Sequence, residues 1–192
     1  SVIHGMHHEQ DMRKMGALRK VMPITAATFI VGWLAIAGVP PFSGFWSKDE
    51  ILLFTLAESP VLYVIGLVTA LLTAFYMTRQ VIMVFFGEAR WKDRADEHGA
   101  HGDLTPHESP WTMLTPLVVL AGLSIVGGVI QLPFSDAWKR LEHWLHGVVA
   151  PAEGIGERHL DGTTANDIKW VLLVVAVVTA LTGIAIAYAI YQ

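Results

Sequence analysis

Cysteine is missing altogether, which excludes disulfides, thiolate catalysis and cysteine-ligated iron–sulfur clusters. Charge is scarce. Asp, Glu, Lys and Arg make up 16% of the 192 residues, where a soluble domain carries about a quarter. The formal net charge is −4, so the chain offers no basic signature for a nucleic-acid partner. Hydrophobic residues fill the space instead, at 53% and a mean hydropathy of +0.48. Four windows are long and apolar enough to cross a hydrocarbon core of ~30 Å. The chain therefore reads as an all-α polytopic membrane protein. It opens on Ser1 and stops at Gln192 directly after an apolar run, with no visible signal peptide, and reads as a fragment of a longer protein.

The stretch that organises the rest is Gly38-Val39-Pro40-Pro41-Phe42-Ser43-Gly44-Phe45-Trp46-Ser47-Lys48-Asp49-Glu50-Ile51, where three ionisable residues follow two prolines inside apolar sequence. Before it, residues 1–21 form a polar loop with His4, His7, His8, Glu9, Asp11, Arg13, Lys14, Arg19 and Lys20. Pro23 suits the first turn of a helix. Residues 24–39 then run without a charge, for only ~24 Å at 1.5 Å per residue. Pro40 and Pro41 must end regular hydrogen bonding, since each lacks an N–H and crowds the preceding turn. Residues 45–57 read as helix again, and Glu58-Ser59-Pro60 stops it. Neither half spans alone. Residues 22–57 therefore read as one discontinuous transmembrane helix broken at 40–44, or else as a full span ending at Val39 followed by a helix in the headgroups.

Residues 61–86 make the second transmembrane helix, with Thr69, Thr73, Tyr76 and Gln80 sharing one face. That stripe suits either a hydrated path or hydrogen bonding between helices. Residues 87–111 are a polar loop containing His98, His101 and His107, whose spacing fits no metal-ligand template. Residues 112–132 make the third span, with Gly122, Gly127 and Gly128 available for close packing. In 134–148, Phe134, Trp138, Leu141, Leu145 and Val148 form an apolar stripe, so this segment reads as an interfacial amphipathic helix. Residues 149–167 read as a linker and 168–191 as the fourth span, anchored by Tyr188 and Tyr191. The Lys and Arg bias places 1–21 and 87–111 in the cytoplasm and 133–167 opposite.

The combination His7-His8-Glu9-Gln10-Asp11-Met12-Arg13-Lys14-Met15-Gly16, then Arg19-Lys20-Val21-Met22-Pro23, then Gly38 through Leu52 resembles the antiporter-like subunit L family of bacterial respiratory complex I. Its mitochondrial counterpart is subunit 5 of NADH–ubiquinone oxidoreductase. The motif block covers about residues 4–57. The resemblance implies two inverted five-helix repeats, each with a broken helix bearing a midplane lysine or glutamate. On this mapping 22–57 is the broken helix of the second repeat, 61–86 closes it, and the chain is a C-terminal fragment. It further implies a proton-translocating membrane-arm subunit of NADH-quinone oxidoreductase, multi-pass in the bacterial inner (plasma) membrane. Its partners would be the other membrane-arm subunits and the lipid bilayer. NADH and quinone would be bound by partner subunits, leaving no cofactor, metal or redox centre in this chain. The related large subunit of a multisubunit cation/proton antiporter or of a membrane-bound hydrogenase is the alternative, and a purely structural scaffold is a third.

Within that frame Lys48 is the candidate relay. A charged lysine at the bilayer centre costs roughly 3 kcal/mol on insertion scales, and burial opposes the ammonium form while a carboxylate or water chain supports it. Interrupted helices free backbone groups and admit water at depth, and transporters place ion sites there. Asp49 is the candidate tuning or exit partner. Glu50 lies on a third face and reads as an interface residue. The N-terminal histidines read as surface residues, and Glu9, Asp11, Arg13 and Lys14 as ion pairs that fix the loop.

Overall fold

The computed structural model describes residues 1–92, 105–130, 144 and 162–192, with backbone alone at 57, 129–130 and 162–169. The interfacial helix expected at 134–148 (Trp144 apart), most of the 149–167 linker, His98 and His101 lie outside the described residues. Everything regular among the described residues is helical. A short helix α1 (Val2–Gly5) leads into two 3-10 turns, Met12–Lys14 and Leu18–Lys20. Then come α2 (Pro23–Ala37), α3 (Ser43–Glu58), α4 (Pro60–Phe85) and α5 (Trp111–Val126). A 3-10 turn at Gly127–Ile130 extends α5, and α6 (Gly162–Tyr191) completes the described chain. Helix therefore already covers 162–167, which the sequence reading gave to the linker.

Local sequence sets these boundaries. Pro23 and Pro60 stand in the first turns of α2 and α4, where a missing N–H costs nothing. Gly38 ends α2 in the left-handed region, φ 80°. Its N–H donates to Ala35 O at 3.2 Å and that of Val39 to Leu34 O at 3.0 Å, which is the Schellman pattern glycine favours. One residue, Ser59, separates α3 from α4, so these two pack back to back, with Leu52 against Gly66.

The first 21 residues are more than a polar loop. Met6, Met15, Leu18 and Met22 are buried with Ala26 of α2 and with Val84 and Phe85 at the end of α4. The backbone turns sharply to achieve this, with His7, His8 and Ala17 at positive φ. The polar side chains stay outside and brace the turns: Arg13 pairs with Asp11 at 3.0 Å and Lys14 with Glu9 at 3.6 Å. The hydrogen bond from the Arg13 guanidinium holds the Asp11 carboxyl below its ordinary range. Arg90 closes the plug from the far side, donating to Arg13 O at 2.7 Å and Met83 O at 2.8 Å.

Among the described residues two helices, Pro60–Phe85 and Trp170–Tyr191 within α6, are long and apolar enough to cross a membrane, while α2 and α5 are apolar but shorter. Most residues in those windows face outward, among them Val61, Val64, Leu72, Val171, Val174 and Val178. A soluble core helix would bury them, and water does not tolerate apolar area on that scale. α4 and α6 pack through small residues. A Cβ on Gly183 would lie 2.6 Å from Leu71 O and 2.9 Å from Ala74 Cβ, with Ala180 and Ala187 buried one turn either side. Gly183→Leu should destabilise the full-length protein by about 1–3 kcal/mol through overpacking. A lowered thermal transition of the detergent-solubilised protein checks this, and an unchanged one refutes the close approach.

Candidate functional site

The Schellman turn at the end of α2 uses the carbonyls of Leu34 and Ala35 and leaves the next one, Ile36 O, without a helical donor. Lys48, one turn into α3, supplies it: its Nζ donates to Ile36 O, and its Cδ would lie 3.3 Å from a Cβ on Gly38. The cation thus sits at the negative end of the α2 dipole, where positive charge is favoured. The segment between the helices, Gly38–Phe42, contains the cis bond between Pro40 and Pro41.

Asp49 follows Lys48 by about 100° around the helix and faces elsewhere. It is 4% exposed and lies near Tyr63 of α4. Lys48 and Asp49 are therefore adjacent in sequence but turned toward different neighbours, Lys48 to the end of α2 and Asp49 to α4. Glu50 is partly exposed.

Close backbone contact fixes the junction. A Cβ on Gly44 would fall 2.0 Å from Ala35 O, and one on Gly128 would fall 2.7 Å from Trp46 Cδ1. The first turn of α3 is thus wedged between the last turn of α2 and the 3-10 turn after α5. A cleft of about 520 Å³ runs along α2 from Ser1 and Gln10 past Thr25, Thr28 and Gln80 to Ile36.

The polar stripe on α4 divides. Thr69 and Thr73 donate to their own helix, at Ile65 O (2.8 Å) and Thr69 O (2.7 Å), and Gln80 lines the cleft. Thr78, outside that stripe, ties α4 to α2 by accepting from Trp33 Nε1 at 3.1 Å. His107 meets His4 and His7, with ring centroids 5.8 and 5.6 Å apart. Among the described residues no group of three or more His, Asp or Glu side chains is disposed to hold a metal ion.

Three features escaped the sequence reading. Ile36 contributes through its backbone, which no side-chain pattern announces. Glu108 caps α2 from 84 positions away, its Oε2 accepting from Ile24 N at 2.9 Å. Arg79 places its guanidinium 5.2 Å from the centre of the Tyr191 ring, and its Nε has no hydrogen-bond partner among the described residues. Its signal was available: a cation inside an apolar run is itself a marker.

Outward-facing apolar helices and an ammonium group seated on a freed helix-end carbonyl define a helical membrane protein with a polar junction inside it. Residues 1–73 match the family described as NADH:quinone oxidoreductase/Mrp antiporter, transmembrane. The chain is 42% identical over 195 residues to NADH-quinone oxidoreductase subunit L of Mycobacterium tuberculosis, covering 100% of this chain and 28% of that protein. It is 48% identical over 159 residues to NAD(P)H-quinone oxidoreductase chain 5 of Picosynechococcus, covering 72% of this chain and 24% of that one. Neisseria meningitidis subunit L matches at 43% over 145 residues, 69% of this chain and 22% of its own length. The chain belongs to the antiporter-like family of subunit L and chain 5 of NADH-quinone oxidoreductase. It spans about a quarter of the length of these relatives.

The wedge at Gly44 can be tested by contrast with Gly32, whose added Cβ meets nothing within 4 Å. Gly44→Ala should cost about 1–3 kcal/mol, because backbone cannot move aside as a side chain can, whereas Gly32→Ala should be neutral or slightly stabilising. Thermal unfolding of the two purified variants measures the difference, and equal transitions would remove the wedge.

Proposed function

We propose that this chain is part of a proton-translocating membrane-arm subunit of NADH-quinone oxidoreductase, with Lys48 as relay group and Asp49 as its tuning or exit partner. On this reading α2 and α3 are the two halves of one discontinuous transmembrane helix, in a multi-pass protein of the bacterial inner membrane. The redox chemistry, with its NADH and quinone, belongs to partner subunits, and the energy of quinone reduction reaches this chain as movement and charge. The observation that carries the proposal is the Lys48 ammonium on the Ile36 carbonyl, across the break between α2 and α3.

Magnitudes explain why that contact suits a relay. Holding a charged lysine in the bilayer costs roughly 3 kcal/mol. A hydrogen bond from a charged donor returns about 1.5–3 kcal/mol, and the dipole of α2 adds about 0.3–1 kcal/mol. The terms nearly cancel. A modest shift of α2, or a change of charge nearby, then decides whether the proton stays. Asp49 places a buried carboxyl group one residue away, facing α4. Proton transfer itself needs no new bond beyond the exchange at Nζ: a proton leaves the ammonium to an acceptor water, the amine keeps its carbonyl contact, and a proton from the other side restores the charge.

Lys48→Met in the full-length protein, within reconstituted complex, should leave assembly intact and abolish most proton pumping. Normal assembly and electron transfer with undiminished pumping would refute the relay role. Asp49→Asn should slow pumping by a smaller factor, about tenfold for each 1.4 kcal/mol of lost charge stabilisation. Pumping rates in proteoliposomes measure both.

A further inference from the structure

The sequence of α2, Pro23–Ala37, carries no charged residue, yet charge from elsewhere in the chain holds both of its ends. At the C-terminal end that charge is Lys48. At the N-terminal end it is Glu108. Met22 offers no side-chain cap and Pro23 has no N–H, so the amides of Ile24 and Thr25 are the first that need acceptors. Glu108 Oε2 accepts from Ile24 N at 2.9 Å and Thr25 N at 3.4 Å, and Oε1 accepts the Thr25 hydroxyl. The Ser109 hydroxyl extends the clamp by donating to Ser1 O at 3.0 Å. Thr25 and Ser109 are 2% and 4% exposed, while Glu108 is half-buried, so the clamp is shielded on the side of its donors. Two residues after Ser109, Trp111 begins α5, and the clamp therefore locks the start of α5 to the start of α2.

We propose that Glu108 is a positioning residue: it sets the depth of α2 and thereby the place of the Ile36 carbonyl that holds Lys48. The inference rests on the relay reading of Lys48. Its physical basis is rigidity. Ile24 and Ile36 lie on one uninterrupted helix, roughly 18 Å apart at 1.5 Å per residue. A regular helix transmits an axial shift along its length, because its internal hydrogen bonds resist compression. The carboxylate at the positive end and the ammonium at the negative end both favour the same macrodipole, so α2 is pulled from both ends along its axis. Without Glu108, the side-chain hydrogen bonds described between α2 and its neighbours are those of Ser1 with Thr25, Trp33 with Thr78 and Lys48 with Ile36 O, and none of them engages the first-turn amides.

The test uses full-length protein in assembled complex, with Glu108→Gln, which keeps the size and removes the charge, and Thr25→Val, which removes one donor and leaves the carboxylate. Amide exchange over residues 22–30 should quicken about tenfold in Glu108→Gln, as for the loss of a charge-assisted hydrogen bond. If α2 is positioned from this end, exchange over residues 34–44 should quicken as well. The rate of proton pumping should fall, a misplacement near 1 Å at a reacting group costing on the order of 100-fold, with electron transfer retained. Thr25→Val should move both readouts in the same direction by less. Faster exchange confined to residues 22–30 with pumping unchanged would make Glu108 a local cap and overturn the proposal. Should Glu108→Gln fail to accumulate, unchanged exchange at 34–44 and unchanged pumping in Thr25→Val overturn it equally. If Lys48→Met pumps normally the relay falls, while the exchange at 34–44 still decides whether Glu108 positions α2.

Discussion

The contact between the Lys48 ammonium and the Ile36 carbonyl is the constraint around which the described structure is arranged. It exists because Gly38 turns α2 off in a way that consumes the two preceding carbonyls and leaves the third. It is reachable because Gly44 lets the first turn of α3 press against Ala35. It is oriented because the negative end of a helix dipole faces the cation. Removing any of these three leaves a lysine in apolar surroundings with no acceptor, the costly state that membrane proteins avoid.

Around that contact the molecule supplies rigidity at one end and a cavity along one side. The buried plug built from Met6, Met15, Leu18 and Met22 seals α2 against the end of α4, and Glu108 fixes the first turn. The cleft beside α2 links this braced end to Ile36, and Thr25, Trp33 and Ile36 both hold the helix and line the open space. α4 and α6 form the other, more closely packed pair, joined at Gly183 and finished by Arg79 against Tyr191. Membership of the subunit L and chain 5 family sets this arrangement beside relatives of which the chain spans about a quarter of the length.

Much of this was legible in the residues, for identifiable reasons. Long apolar runs, Pro23 and Pro60 at helix starts, and the Gly-Pro-Pro-Gly punctuation are local signals, and local signals mark helix ends. Lys48 and Asp49 stood out because charge in apolar sequence is rare. Their division between two neighbours followed from 100° per residue. What stayed hidden was non-local or carried by the backbone. Ile36 acts through its carbonyl, and Glu108 reaches its partner across 84 positions. The methionines of the N-terminal plug have no helical or strand period, so they read as a loop until Phe85 and Val84 are brought beside them. Arg79 lies next to Gln80 of the polar stripe on the same helix, and its partner Tyr191 is more than a hundred positions away.

The central claim is that α2 and α3 are two halves of one crossing that meet at Lys48 within the membrane. A cryo-electron-microscopy map of the full-length protein in lipid nanodiscs, with the bilayer density visible, measures this directly. The account predicts Lys48 Nζ against Ile36 O well inside the hydrocarbon layer, with α2 and α3 entering from opposite faces. A map in which α2 crosses alone, and α3 lies flat with Lys48 among the headgroups, would contradict it.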